Sequence, residues 1–315
     1  MKPAIADTKM NNQRPLTKKE WRTYHLLMRL FTLLGRIPRP LARKMGNFLG
    51  DAWFRLDGHH RKITLDNLAL ALGRELASDQ RHAIATSVYR NLGQILFEIG
   101  WSLAVDRNTL NKSVTIDGLE NFQAAREQGN GVLVVTAHLG NWELLSVLTK
   151  PIGLPVNIVY RPLDFKPLDH FFEAIRSRFG AKLIPSRNAL LRILKVLKRG
   201  EVVAMLLDQN VDYYDGVWVD FFGRPACTSK AMATIAQRTG APVLPVFNYR
   251  EGDGFRIVVG EILPPVVTGD RRSDTEANTA RYTQVIEAGI RRKPDQWFWV
   301  HRRWKTKPYS LWPRQ

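Results

Sequence analysis

Apolar residues along the chain follow two different rhythms. Up to about residue 104 they recur at helical spacing. Tyr24–Gly35 (YHLLMRLFTLLG) is an amphipathic run, and residues 24–57 read as two short helices split at Ile37-Pro38-Arg39-Pro40, because proline disfavours helix at the residue before it. Residues 61–104 are helical again, with Val88, Leu92, Ile95, Leu96 and Ile99 on one 3.6-period face. From residue 114 the rhythm changes to alternating strand and helix. Strands are predicted at Val132–Thr136, Val156–Tyr160, Ala181–Ile184, Val202–Leu207, Val243–Phe247, Phe255–Val259 and Trp297–Val300. Helices are predicted at Asp164–Phe179, Arg187–Arg199, Thr228–Thr239 and Asp274–Arg291. Strands that are apolar at every position are buried on both faces. The predicted fold class is therefore α/β, a mostly parallel central sheet flanked by helices, with N-terminal amphipathic helices added.

Charge divides the chain differently. Residues 1–62 carry 14 basic and 4 acidic residues, and residues 291–315 carry 8 basic and 1 acidic; the 228 residues between them are nearly neutral. Basic ends ask for an anionic partner: nucleic acid, anionic lipid or an acidic carrier protein. Four of the nine tryptophans fall in the last nineteen residues, interleaved with His301, Arg302, Arg303, Lys305 and Lys307. That mixture suits a membrane interface, and also a single-strand nucleic-acid platform. Trp297 and Trp299 are expected in a core strand, with a basic rim after them.

Residues 1–20 are expected to be a disordered basic tail. Residues 1–23 hold no apolar signal segment, and no stretch reaches the ~18 apolar residues of a spanning helix. The Tyr24–Gly35 run, broken by His25 and Arg29 and followed by Arg36, Arg39, Arg43 and Lys44, reads as a helix lying in a membrane interface, so residues 21–60 form interface helices. The single cysteine, Cys227, excludes an internal disulfide and a cysteine zinc cage, and no other metal-ligand spacing is present. Phosphate-loop, dinucleotide and nucleophile-elbow motifs are missing as well.

The segment with chemistry in it is Gly131–Leu145, GVLVVTAHLGNWELL. A buried strand delivers His138 at its carboxyl end, where ligands bind in open α/β sheets. Gly140-Asn141 makes a turn, Asn141 is a candidate N-cap, and Trp142-Glu143-Leu144 begins a helix. In one regular helix His138 and Glu143 would point about 140° apart. With a turn between them, Glu143 can fold back onto the imidazole and orient it as a general base, while backbone N–H groups near Gly140 hold an oxyanion. Two further strand ends add polar residues on the same side: Arg161, suited to phosphate or carboxylate, and Asp208-Gln209-Asn210.

His138-Leu139-Gly140-Asn141-Trp142-Glu143 resembles the H-x-G-N-W-E block of the lipid A biosynthesis lauroyl/myristoyl acyltransferases, a form of the H-x4-D/E motif of glycerolipid acyltransferases. Tyr160-Arg161-Pro162, Leu207-Asp208-Gln209, Phe221–Ala226, Thr239–Pro245 and Gln296–Lys305 resemble further blocks of that family in the same order, and Asn67-Leu68 an upstream one. The resemblance covers about residues 25–308. It implies a glycerolipid-acyltransferase-like domain over residues 61–315. The implied reaction is transfer of a fatty acyl chain from acyl-carrier protein or acyl-CoA to a hydroxyl of a lipid A precursor. It implies His138 as catalytic base with Glu143 as its partner, and Gly140, Asn141, Arg161, Asp208 and Gln209 in substrate binding. No cofactor, no metal and no nucleic acid are expected. The partners implied are the acyl donor, an anionic membrane and a phosphorylated glycolipid, at the cytoplasmic face of the inner membrane with peripheral or monotopic attachment. Members commonly carry an N-terminal spanning stretch; here that stretch is short and charged.

Overall fold

The computed structural model describes residues 15–307. Helix α1 (Lys18–Leu34) starts at a capping box: the Thr17 hydroxyl accepts the Glu20 N–H and the Glu20 carboxylate accepts the Thr17 N–H. Residues 18–20, expected in the disordered tail, are helical instead; residues 1–14 of that expectation lie outside the described residues. Pro38 and Pro40 flank the start of α2 (Arg39–Leu56), as the sequence break suggests. The long helical stretch that follows is split by Gly73–Ala77 into α3 (Gly58–Leu72) and α4 (Ser78–Ala104). Glycines let α1 and α2 lie directly on α4. A methyl added to Gly35 would meet the Gly100 carbonyl, and one added to Gly93 would meet that of Gly46.

α1 and α2 bury only part of their apolar surface. Leu26, Leu30 and Leu33 of α1 remain exposed, as do Leu41, Met45, Phe48 and Leu56 of α2. At helical spacing each set forms an outward stripe. Exposed Lys19, Arg22, Arg29, Lys44 and Arg55 accompany the two stripes. No helix among the described residues is long and apolar enough to cross a membrane.

After α5 (Arg107–Lys112), the rest is α/β: β1 (Val114–Asp117), α6 (Leu119–Glu127), β2 (Val132–Thr136), β3 (Val156–Tyr160), α7 (Lys166–Ser177), β4 (Lys182–Pro185), α8 (Leu190–Lys198), β5 (Val202–Leu206), β6 (Gly216–Asp220), β7 (Pro225–Ser229), α9 (Ala231–Thr239), β8 (Val243–Glu251), β9 (Gly254–Val259) and α10 (Arg271–Arg292). Two 3-10 helices complete it, Trp142–Thr149 and Pro294–Gln296. The seven-stranded sheet has the order β1-β9-β8-β2-β5-β3-β4. Strands β8, β2, β5, β3 and β4 run parallel, β9 runs antiparallel to β8, and β1 runs parallel to β9. Burial on both faces is visible residue by residue: Leu133 and Val135 of β2 join one core cluster, Val132 and Val134 the other.

Several expectations need correction. Trp297–Val300 is not a strand; Trp297 makes one isolated antiparallel bridge, to Leu139, inside an irregular segment. Thr228 lies in β7, within a β6–β7 hairpin that the helical reading of its surroundings hid. Strand β1 was not predicted because its burial is only partial and gives no continuous apolar run. Trp297 and Trp299 are fully buried as expected, but so is Arg303, which was expected on a basic rim.

Candidate active site

The site is assembled at the carboxyl ends of two neighbouring strands. β2 and β5 pair in register from Val132↔Val202 to Thr136↔Leu206, so the residues just past each strand emerge side by side. Those residues are His138 and Asp208. The Asp208 carboxylate holds His138 at two points: Oδ1 lies 2.9 Å from the imidazole Nδ1, and Oδ2 accepts the His138 backbone N–H at 2.9 Å. Oδ2 also accepts the indole N–H of Trp297 at 2.7 Å. Burial by itself would raise the Asp208 carboxyl. The charges and hydrogen bonds of His138, with the charge of His301, outweigh it and hold the group well below the usual carboxylate range. An ionised Asp208 takes the Nδ1 proton as its hydrogen bond and leaves the Nε2 lone pair free, which is the arrangement a general base requires.

Aromatic rings wall the imidazole. Trp142 lies edge-on to it, 5.0 Å between centroids at 70°, and Phe298 is tilted against it at 5.9 Å. His301, whose imidazolium burial disfavours, stacks on Phe298 at 5.9 Å and 10°. The C-terminal segment that carries these rings is tied down from several sides. Asn67 donates to the Trp299 and His301 carbonyls, and Arg303, with its guanidinium over the Phe221 ring, donates to the Cys227 carbonyl.

The other predicted site residues fall in different places. Glu143 does not reach the imidazole: its two oxygens take a fork of hydrogen bonds from Arg176 on α7, at 2.7 and 2.8 Å. The Gly140 N–H is also committed, to the Gln296 carbonyl at 3.0 Å, with Gly140 at φ +59°. Asn141 makes no side-chain cap. It is buried, donating to Glu98 at 3.0 Å, and its carbonyl accepts from Asn248 at 2.6 Å. Glu98 is in turn paired with Arg250, so the His138 turn rests on a buried polar network from α4 and β8. Arg161 is exposed at the carboxyl end of β3, on the same edge as His138. Gln209 is exposed beside Asp208, and its carbonyl faces Arg303. Sequence reasoning missed Arg176, Trp297 and His301 as parts of the site. For the last two, the signals in the sequence were the density of aromatic and basic residues at the C-terminal end and the family-like Gln296–Lys305 block that contains them.

Below Trp142, between the sheet, α6 and the Trp142–Thr149 helix, lies an apolar cavity. Thirteen apolar side chains line it, Phe122, Leu145, Ile152, Ile158 and Leu206 among them, with Thr136 as the one polar exception. Trp142 belongs both to this lining and to the wall of the imidazole. Among the described residues no group of three or more His, Cys, Asp or Glu side chains is placed to hold a metal ion.

An imidazole whose ring neighbour Trp142 also lines an apolar cavity suits chemistry on a chain-bearing substrate, and residues 9–306 match the bacterial lipid A biosynthesis acyltransferase family. The chain belongs to this family. It is thus an acyltransferase. Among curated relatives it is 28% identical over 290 residues to the lipid A biosynthesis palmitoleoyltransferase of Escherichia coli, covering 90% of this chain and 87% of that one. To the lipid A biosynthesis lauroyltransferase of the same organism it is 27% identical over 301 residues, covering 94% and 95%. A phosphatidylinositol mannoside acyltransferase of Mycobacterium tuberculosis is 28% identical over 194 residues, covering 60% and 59%.

Proposed function

We propose that this acyltransferase moves a fatty acyl chain from a thioester donor, acyl-carrier protein or acyl-CoA, to a hydroxyl of a lipid A precursor. His138 removes the hydroxyl proton through Nε2 as the oxygen attacks the thioester carbonyl. Asp208 fixes the tautomer and balances the imidazolium. The imidazolium then returns the proton to the departing thiolate. The backbone N–H groups of Trp142 and Glu143, at the start of the Trp142–Thr149 helix, stabilise the oxyanion in place of the committed Gly140 N–H. The apolar cavity takes the acyl chain. Arg161 and Gln209, exposed at the same sheet edge, meet the polar parts of the substrates. The observation that carries this reading is the His138–Asp208 pair beside a cavity that Trp142 shares.

The enzyme works at the cytoplasmic face of the inner membrane, attached peripherally. The outward leucine stripes of α1 and α2 enter the interface while the lysines and arginines near them meet anionic head groups.

Incubation of the purified protein with a radiolabelled tetra-acylated lipid A precursor and C12, C14 or C16 acyl-carrier proteins tests the proposal. A heavier lipid formed by wild type and absent with His138→Ala is expected. No product with any donor would sink the lipid A acceptor. The mannoside acyltransferase among the relatives makes another glycolipid the next acceptor to offer.

A further inference from the structure

The residue five places after the base is a motif position, yet its carboxylate is turned away from the base. Glu143 is 6% exposed and is gripped by Arg176 in a two-pronged pair. Its Oε1 also accepts the indole N–H of Trp142 at 3.1 Å. That indole lies against the imidazole on one side, against Phe298 at 5.8 Å on another, and against the apolar cavity on a third. Arg176 is itself fixed: its guanidinium lies over the rings of Tyr160 and Phe172, and α7, which carries it, packs Phe171 on Phe31 of α1.

We infer that Glu143 and Arg176 are positioning residues that act through Trp142, setting where the acyl chain ends relative to His138, and so which chain lengths are used. The inference rests on acyl transfer by His138. The thioester carbonyl must stop where the acceptor oxygen, held at Nε2, can reach it, and a misplacement of about 1 Å costs up to about a hundredfold in rate. Trp142 both packs edge-on to the imidazole and lines the cavity. A carboxylate on its Nε1–H and a buried arginine on that carboxylate hold the indole at a single tilt. Losing Glu143 leaves the Arg176 charge buried and uncompensated and frees the indole; losing Arg176 leaves the Glu143 carboxylate uncompensated and free to shift, with the indole bonded to it.

The test compares wild type with Glu143→Gln, Arg176→Met, Trp142→Phe and Asp208→Asn, using C12, C14 and C16 thioesters across pH. The first three variants should lose about ten- to a hundredfold in kcat/KM for the preferred donor. They should also narrow the ratio between preferred and next donor, and leave the acidic limb of the pH profile in place. Asp208→Asn should displace that limb. The Glu143→Gln/Trp142→Phe double variant should be no worse than its worse single, since one removes the charge that strengthens the indole contact and the other removes the indole. The inference is overturned if Glu143→Gln displaces the acidic limb as Asp208→Asn does, with the donor ratio intact; Glu143 would then serve the imidazole directly. A readout free of turnover is the indole 1H–15N resonance of Trp142, assigned by its loss in Trp142→Phe. It should move in Glu143→Gln, and an unmoved resonance overturns the contact even if the wild type is inert toward every donor. Should Arg176→Met fail to fold, Glu143→Gln and Trp142→Phe, which preserve side-chain shape more closely, decide the matter.

Discussion

Asp208 holds His138 twice, once at Nδ1 and once at the backbone N–H, each at 2.9 Å and across 70 residues of chain. The two points together fix both the ring and the strand end that bears it. His138→Ala should therefore lower turnover by at least about a hundredfold, the usual contribution of a general base, and it should also lower the melting temperature, because the buried Asp208 carboxylate loses its imidazole partner. Asp208→Asn should cost at least as much as a loss of the correct tautomer, and its amide cannot balance an imidazolium. Steady-state kinetics on wild type and both variants check this; an active Asp208→Asn enzyme would remove Asp208 from the mechanism.

The same carboxylate makes stability depend on pH. Asp208 titrates lower in the folded protein than its ordinary value of 3.8, so the folded state favours the ionised form. Its contribution is present in full above that value and fades as pH falls below it, because the unfolded chain binds the proton first. Thermal melts from pH 6 to pH 3 should show a loss of stability that Asp208→Asn, lacking the titrating group, shows less steeply.

Membrane attachment is open to direct measurement. Changing Leu26, Leu30 and Phe48, all exposed on α1 and α2, to serine removes apolar surface without touching the core. Burial of each such side chain contributes about 1.5–3 kcal/mol, so binding to anionic vesicles should weaken by well over tenfold. Added salt should weaken the wild type further, because the flanking lysines and arginines are exposed. Tight, salt-sensitive binding to nucleic acid in place of vesicles would contradict the assignment.

The contact between α2 and α4 depends on having no side chain at Gly93. Gly93→Ala drives a methyl into the backbone of α2 at Gly46. Backbone cannot swing aside as a side chain does, so the substitution should cost about 1–3 kcal/mol. Denaturant unfolding measures it, and an unchanged midpoint would show that the helices separate freely.

Much of the fold was legible because burial leaves a local trace. The apolar runs Val132–Thr136 and Val156–Tyr160 are strands as read, the Val202–Leu207 run is a strand to Leu206, and the helices α1, α2, α7, α8 and α10 lie close to where periodicity put them. Trp297–Val300 misled for the same reason. Its apolar side chains report burial correctly, but burial beneath an irregular segment looks the same in sequence as burial in a strand. The half-buried β1 and the β6–β7 hairpin carried too little apolar pattern to be read.

The sequence by itself determined that His138 stands at the carboxyl end of a buried strand, and that Arg161, Asp208 and Gln209 follow other strand ends on the same side. Those placements need only the alternation of strand and helix. Partnership needed the tertiary structure. Glu143 is five residues from His138 along the chain, but the turn at Gly140, with its positive φ, sends it toward Arg176 on α7. Asp208 is 70 residues away, yet the β2–β5 register sets it against the imidazole. Spacing along a chain measures reach only within one element; across a turn, the neighbours are chosen by strand order and packing.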